Sequence, residues 1–221
     1  LIAYVLLGGA DFGGGVWDLL ASGERKSEQR ALIADAIGPV WEANHVWLIF
    51  VLVYLWTGFP DAFVAMVQTL IVPLSLAGVG IVLRGAGFAF RKFADEPWQA
   101  APWGIAFATS SVLTPFFLGT VAGGVASGRV PLDGTGDRVE AWLNPTALLG
   151  GALAVLTCAF LAAVFMARDA DRLGRPDLVE WLRIRALVTG GVTGIVALGG
   201  IAVLAADAPT LFDGLTGRGL A

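Results

Sequence analysis

The chain has 221 residues, of which 57% are hydrophobic and only 14% charged, with a formal net charge of -4 and a mean hydropathy of +0.76. Soluble domains carry nearer a quarter charged residues, so this composition belongs to an all-α integral membrane protein. The scattered charge contains no basic block for nucleic acid, and one cysteine, Cys158, excludes an internal disulfide, a CxxC redox pair and a thiolate metal cluster.

The length suits one polytopic domain with about six spans of roughly 20 to 25 residues. Residues 1–21 open on LIAYVLLGG, with no charged leader region or cleavage signature, and read as the first span. Asp11 and Asp18 lie seven residues apart in it, on one helical face. Gly8, Gly9, Gly13, Gly14 and Gly15 surround the first acid, and Gly9 with Gly13 forms a small-residue pair for close helix packing. Packing explains the glycines but not Asp11, because a carboxylate at membrane depth is costly unless it faces a partner or water. A dinucleotide loop is excluded, since GGADFGGG lacks the GxGxxG spacing and its βαβ context.

Residues 23–37 are charged at first and then apolar at Ala31, Leu32, Ile33 and Ile37, which suits a short amphipathic helix at the membrane surface. Gly38 and Pro39 end it. A second span is expected over 41–59, a tight return at Pro60 and Asp61, and a third span over 62–90 with Pro73 as a tolerated kink. That span ends in LRGAGFAFRK, with Arg84 inside the membrane and Arg91 and Lys92 at its surface. The fourth span, 103–126, carries Pro115 as a second kink site and Gly119 with Gly123 as a packing pair. Residues 127–143 read as an exposed loop. The fifth span covers 144–167, the charged stretch RDADRLGRPDLVEWLRIR reads as a loop, and the sixth span covers 186–206 with Gly190 and Gly194 as another small pair. A polar tail follows.

The loops after spans one, three and five hold Arg25, Lys26, Arg30, Arg91, Lys92, Arg168, Arg172, Arg175, Arg183 and Arg185. The opposite side holds Arg129, Arg138 and Arg218. Positive-inside counting puts the richer side in the cytoplasm and the amino terminus outside.

Glu42, Asn44 and His45 stand at the cytoplasmic mouth of span two, in GPVWEANHVWL, flanked by Trp41 and Trp47. One reading is an interfacial helix start with tryptophan anchors and wet polar groups. A second is metal: Glu42 and His45 form half of the Glu-x-x-His pattern of carboxylate di-iron bundles, but the chain has no other histidine. His45 with Met66 or Met166 is the one formal haem pair. The third is proton handling, with Glu42 at the entrance and Asp11 deeper as the next station.

Three stretches, GGADFGGGVWDLL, GPVWEANHVWLI and LRGAGFAFRKF, resemble in order and spacing subunit II of the bacterial cytochrome bd-type quinol oxidases. The family patterns run approximately Leu-Asp-Gly-Phe-Asp-Leu-Gly, Gly-Pro-x-Trp-Asp/Glu-x-Asn-x-Val-Trp-Leu and Leu-Arg-Gly-x-x-Phe-Glu-Phe-Arg. By position, Glu42 matches the acid of the middle pattern, Asp11 the second acid of the first, and Trp41, Asn44, Trp47 and Arg84 match as supporting residues. Gly8 stands where the first acid would be, and Ala89 replaces the glutamate of the third pattern. His45 falls on a variable position.

The resemblance implies a bacterial inner-membrane complex that couples quinol oxidation to reduction of oxygen to water. Haem b and haem d would belong to a larger subunit I, with no haem or metal on this chain. A bound quinone and a small single-span third subunit are compatible with it. This chain would support subunit I and contribute a proton route. Second subunits of the family usually have eight or more spans in two four-helix bundles, so the chain is expected to supply one bundle and half of the next and to lack the last spans. Two rival classes are a secondary transporter or channel with a carboxylate-lined path, and a purely structural subunit.

Overall fold

The computed structural model describes residue 2 and residues 4–39, 41–94 and 96–217; the side chains of Glu42, Lys92 and Pro97 are outside what it describes, as are Val40 and Arg218. A π-helical turn, Tyr4–Gly8, leads into α1 (Gly9–Leu20). There follow α2 (Lys26–Ile37), α3 (Trp41–Gly58), α4 (Pro60–Thr69), α5 (Ile71–Lys92), α6 (Pro97–Ala126), α7 (Pro145–Arg172), α8 (Pro176–Asp207) and α9 (Pro209–Thr216). No strand occurs among the described residues. Proline opens α4, α6, α7, α8 and α9, where its missing N–H would have had no helical partner and its fixed φ suits the first turn.

Close approach of backbones holds the bundle together. A Cβ on Gly13 would lie 1.8 Å from the Cys158 carbonyl, which brings α1 against α7. A Cβ on Gly119 would lie 2.4 Å from the Gly150 carbonyl and one on Gly123 2.6 Å from that of Thr146, which seats α6 on α7. Gly87 does the same for α5 on α6, at 2.8 Å from the Trp103 carbonyl. The expected pairs Gly9/Gly13 and Gly119/Gly123 therefore act at helix contacts. Gly190/Gly194 does so only in part: a Cβ on Gly190 would meet the Phe160 ring of α7 at 3.1 Å, whereas nothing lies within 4 Å of one on Gly194. The largest apolar core joins α1, α2, α6, α7 and α8 through Trp17, Ile33, Phe107, Met166 and Leu182. In it Trp17 donates its ring N–H to the Ala159 carbonyl at 2.9 Å.

Among the described residues four helices are long and apolar enough to cross a membrane, at Ile71–Arg91, Trp98–Ala126, Pro145–Arg172 and Pro176–Asp207, or five if α3 and α4, bent by 115°, count as one. The helical membrane architecture is as expected, and the count of about six is not reached among these residues. The third expected span, 62–90, is split at Leu70. Pro73 cannot donate to the Thr69 carbonyl and its ring crowds that group, so α4 stops there and α5 begins with Pro73 in its first turn. The return after α3 is consequently the whole of α4.

The charged stretch read as a loop is mostly helical. α7 runs on to Arg172, Gly174 turns the chain with φ of +66°, and α8 starts at Pro176. Hydropathy marks where the apolar zone ends, whereas Arg, Asp, Glu and Leu can prolong a helix beyond it. The tail likewise forms α9.

Ion pairs organise the two ends. At one, Arg25 meets Asp177 at 2.8 Å and Arg175 meets Glu28 at 2.6 Å, tying α2 to the α7–α8 turn. At the other, Asp207 accepts from Arg129 at 2.7 Å and from the Thr146 hydroxyl at 2.6 Å. In the loop there, the Thr135 hydroxyl and N–H hold the Asp133 carboxyl below its ordinary range, and the N–H groups of Glu140 and Val139 do so for Asp137.

Gly13→Leu should destabilise the protein by at least the roughly 1–3 kcal/mol of core overpacking, whereas Gly194→Leu should change stability by less than about 0.5 kcal/mol. Thermal melts of the two variants in detergent check this. Equal melting points would mean that α1 does not depend on backbone contact with α7.

Candidate functional site

The site is assembled from α1, α3, α5 and α6 around the backbone and side chain of Asp11. Glycines on α1 let its neighbours come close, and a side chain projecting from a neighbour then reaches the α1 backbone. Asp11 is 3% exposed and Arg84 1% exposed. Asn44 on α3 donates from Nδ2 to Asp11 Oδ2 at 2.9 Å and also to the Leu7 carbonyl, in the π-helical turn, at 3.3 Å. Arg84 on α5 donates from Nη2 to the Asp11 carbonyl at 2.6 Å and from Nε to Ser111 Oγ at 3.2 Å. Ser111 in turn donates its hydroxyl hydrogen bond to the Phe107 carbonyl at 2.6 Å. The Arg84 guanidinium also faces the rings of Phe12 and Phe107, at 5.0 and 5.2 Å from their centroids.

Arg84 and the Asp11 carboxylate share this interior without an ion pair: the arginine takes the backbone oxygen and the amide of Asn44 takes the carboxylate. The arrangement places a carboxyl group in a dry interior, bonded at Oδ2 by a neutral donor, with a fixed cation close by. That is suited to exchange of a proton at the carboxyl without disruption of the clamp between helices.

Two turns along α1, Asp18 forms a second rung. Arg91 donates to both its oxygens, at 3.0 and 3.1 Å, and Arg30 Nε stands 3.5 Å from Oδ1. A cavity of about 700 Å³ opens beside this rung, bounded among others by Asp18, Gly38, Pro39, Trp41, Arg91 and Phe107. The pairing of Asp18 with Arg91 has a signal in the sequence: the arginines of α5 are seven residues apart, as the acids of α1 are, so both pairs face each other in register. Ser111 has no comparable signal.

Of the residues singled out from sequence, Asp11, Asn44 and Arg84 come together. Trp41 borders the cavity and lies edge-on to His45 and tilted against Phe88. Trp47 stands apart, 43% exposed, with its ring against Phe50. Glu42 lies in the first turn of α3, with its side chain outside the described atoms. His45 Nδ1 is 2.8 Å from the Trp41 carbonyl and donates to it.

The formal haem pair does not fit this arrangement. His45 packs with Phe12 and Trp41, Met166 lies in the core with Trp17, and Met66 lies in a separate cluster with Leu70 and Val121. Among the described residues no group of three or more His, Cys, Asp or Glu is placed to hold a metal ion.

The family model for cytochrome bd terminal oxidase subunit II matches residues 1–216. The chain belongs to this family. A cytochrome bd ubiquinol oxidase subunit 2 of Bacillus subtilis (strain 168) is 29% identical over 160 residues, which cover 71% of this chain and 46% of that protein. A cytochrome bd-I ubiquinol oxidase subunit 2 of Escherichia coli (strain K12) is 26% identical over 206 residues, covering 90% of this chain and 51% of that protein. The chain therefore spans about half the length of these relatives. In this member of the subunit II family the buried Asp11, Asn44 and Arg84 lie on the three stretches whose order and spacing carry the resemblance.

Arg84→Met removes two hydrogen bonds from a charged donor, each worth about 1.5–3 kcal/mol, whereas Asn44→Leu removes two from a neutral amide, to Asp11 Oδ2 and the Leu7 carbonyl, of which the weaker, 3.3 Å bond contributes less and the loss at the carboxylate costs about 1–3 kcal/mol. Melting of the two variants should rank Arg84→Met as the more damaging. The reverse order would show that the amide, and not the guanidinium, holds the helices.

Proposed function

We propose that this chain serves as subunit II of a bacterial cytochrome bd-type quinol:oxygen oxidoreductase in the cytoplasmic membrane, with its amino terminus outside. It would support a haem-bearing subunit I and carry protons inward from the cytoplasmic side through Glu42 and Asp11. Haem b and haem d would sit in subunit I and, when bound, supply the electron transfer and the oxygen chemistry.

The observation that carries the reading is the buried Asp11 carboxyl, bonded at Oδ2 by Asn44. Reduction of oxygen to water consumes protons as well as electrons, so a haem site inside a membrane needs a polar entry for them. A dry interior repels protons unless groups that bind and release them are spaced along the way. Asn44 occupies Oδ2 and fixes the carboxyl plane, which leaves Oδ1 as the atom at which a proton would be taken and passed on. Glu42 precedes Asn44 on α3, at the cytoplasmic mouth by charge asymmetry. Membership of the subunit II family favours this reading over a secondary transporter or channel.

In the complete oxidase, Asp11→Asn and Glu42→Gln should each slow turnover-linked proton uptake by about tenfold or more, an increase in barrier of about 1.4 kcal/mol, while the haem bands of the reduced-minus-oxidised spectrum persist. Unchanged uptake in both variants would remove the proton route. Loss of the haem bands from both would assign the acids to assembly. The chain purified without partners should show no haem bands, and bands from the lone chain would move a haem onto it.

A further inference from the structure

Two charged rungs cross the α1–α5 contact, and one aromatic ring stands between them. The outer rung, Asp18 with Arg91, borders the cavity of about 700 Å³. The inner rung, Asp11 with Arg84, is buried. Seven residues of helix separate them, about 10 Å along the axis. The Phe107 ring from α6 lies between the two cations, with its centroid 5.9 Å from Arg91 Cζ and 5.2 Å from Arg84 Cζ. It also borders the cavity and is itself 2% exposed.

The surroundings fix this ring from several sides. Gly15 presents bare α1 backbone to it, such that a Cβ there would lie 3.6 Å from Phe107 Cε1. Phe88 tilts against it at 5.9 Å between centroids. Both cations are tethered, Arg91 by the two oxygens of Asp18 and Arg84 by the Asp11 carbonyl and Ser111, so each offers the ring a stationary positive face. A phenyl ring neither donates nor accepts a conventional hydrogen bond, so it cannot extend a chain of waters from the cavity.

We propose that the cavity at Asp18 is the aqueous antechamber of the proton route and that Phe107 is the gate between it and Asp11. Water in the cavity meets the part-exposed Arg91 side of the outer rung, whose Asp18 carboxyl is itself buried, and passage to the inner rung requires the ring to swing away from the gap between the two arginines. Phe107 is thus a positioning residue: it takes no proton itself and sets when Asp11 is in contact with water. This inference rests on the proton-route reading for its purpose, but the barrier it describes can be measured separately.

The test is hydroxyl-radical footprinting of the purified complete oxidase, in which radicals formed from water oxidise the side chains that water touches. Phe12 is the reporter for the inner rung, since its ring faces Arg84 at 5.0 Å and is 2% exposed. Trp41 is the reporter for the cavity. In the unaltered oxidase, Trp41 should be oxidised much faster than Phe12 after correction for the intrinsic reactivity of each ring, and this needs no variant. Phe107→Ala should raise oxidation of Phe12 by about fivefold or more as water fills the polar space behind the ring, and Phe107→Leu, which keeps an apolar plug, should leave it nearly unchanged. Equal corrected rates at Trp41 and Phe12 in the unaltered oxidase would overturn the gate, as would a Phe107→Ala oxidase with normal haem bands and an unchanged rate at Phe12. A rise at Phe12 together with normal proton uptake in Asp11→Asn would keep the barrier and dismiss the route behind it.

Discussion

A guanidinium inside a membrane protein must replace its water with oxygens and aromatic faces, because an uncompensated charge there is too costly to persist. Arg84 does so by taking the Asp11 carbonyl from α1, the Ser111 hydroxyl from α6 and the rings of Phe12 and Phe107, while rooted in α5. Three helices are bound to one side chain. The other polar features of the site follow from it: a helix whose carbonyl is held by an arginine presents its side chain at a fixed height, and at that height the Asp11 carboxylate meets Asn44 of α3.

Such a clamp works only if the helices can come close. Gly13 and Gly15 on α1, and Gly87 on α5, bring backbone to within contact of α7 and α6, and any larger side chain would hold the helices too far apart for Arg84 to bridge them. Glycines and arginine are therefore two parts of one arrangement. The same logic acts at the ends, where the apolar drive is absent and exposed ion pairs take over. The Arg25–Asp177 and Arg175–Glu28 contacts are half exposed and individually worth little, but together they connect α2 to a turn far away in sequence.

How much of this could be read in the residue string depends on which force decides each feature. Membrane class, helical architecture and the burial of Arg84 and Asp11 follow from composition and from the rarity of charge in apolar runs. Gly9/Gly13 and Gly119/Gly123 were legible as contacts because small residues at that spacing have few other uses. Gly190/Gly194 showed the same spacing where the neighbouring helix sends only the Phe160 ring to Gly190 and nothing to Gly194, and only tertiary arrangement separates the two cases. The break at Leu70 was obscured by hydropathy, which continues smoothly through 62–90 although Pro73 interrupts the hydrogen-bond ladder. The helical course of the charged stretch was obscured for the opposite reason, since hydropathy ends while helix propensity goes on. Ser111 and Phe107 look like ordinary residues of an apolar helix, and their contacts exist only because α5 brings Arg84 to both of them and Arg91 to the Phe107 ring.

The two acids of α1 show how one helical face can hold two different electrostatic solutions. Asp18 is tied at both oxygens by Arg91 and approached by Arg30, so a proton arriving there would have to displace a charged donor. Asp11 is tied at one oxygen by a neutral amide, and its nearby cation is engaged elsewhere, on the backbone. A proton can reach the remaining oxygen of Asp11 without breaking an ion pair or loosening a helix. The outer acid thus ties α1 to α5 beside a cavity, and on the proposed proton route the inner acid would change state inside a frame that stays still. If the proposed route holds, the duties of keeping shape and admitting protons fall on separate residues, and the spacing of seven along α1 and α5 separates them by two helical turns with one phenyl ring between.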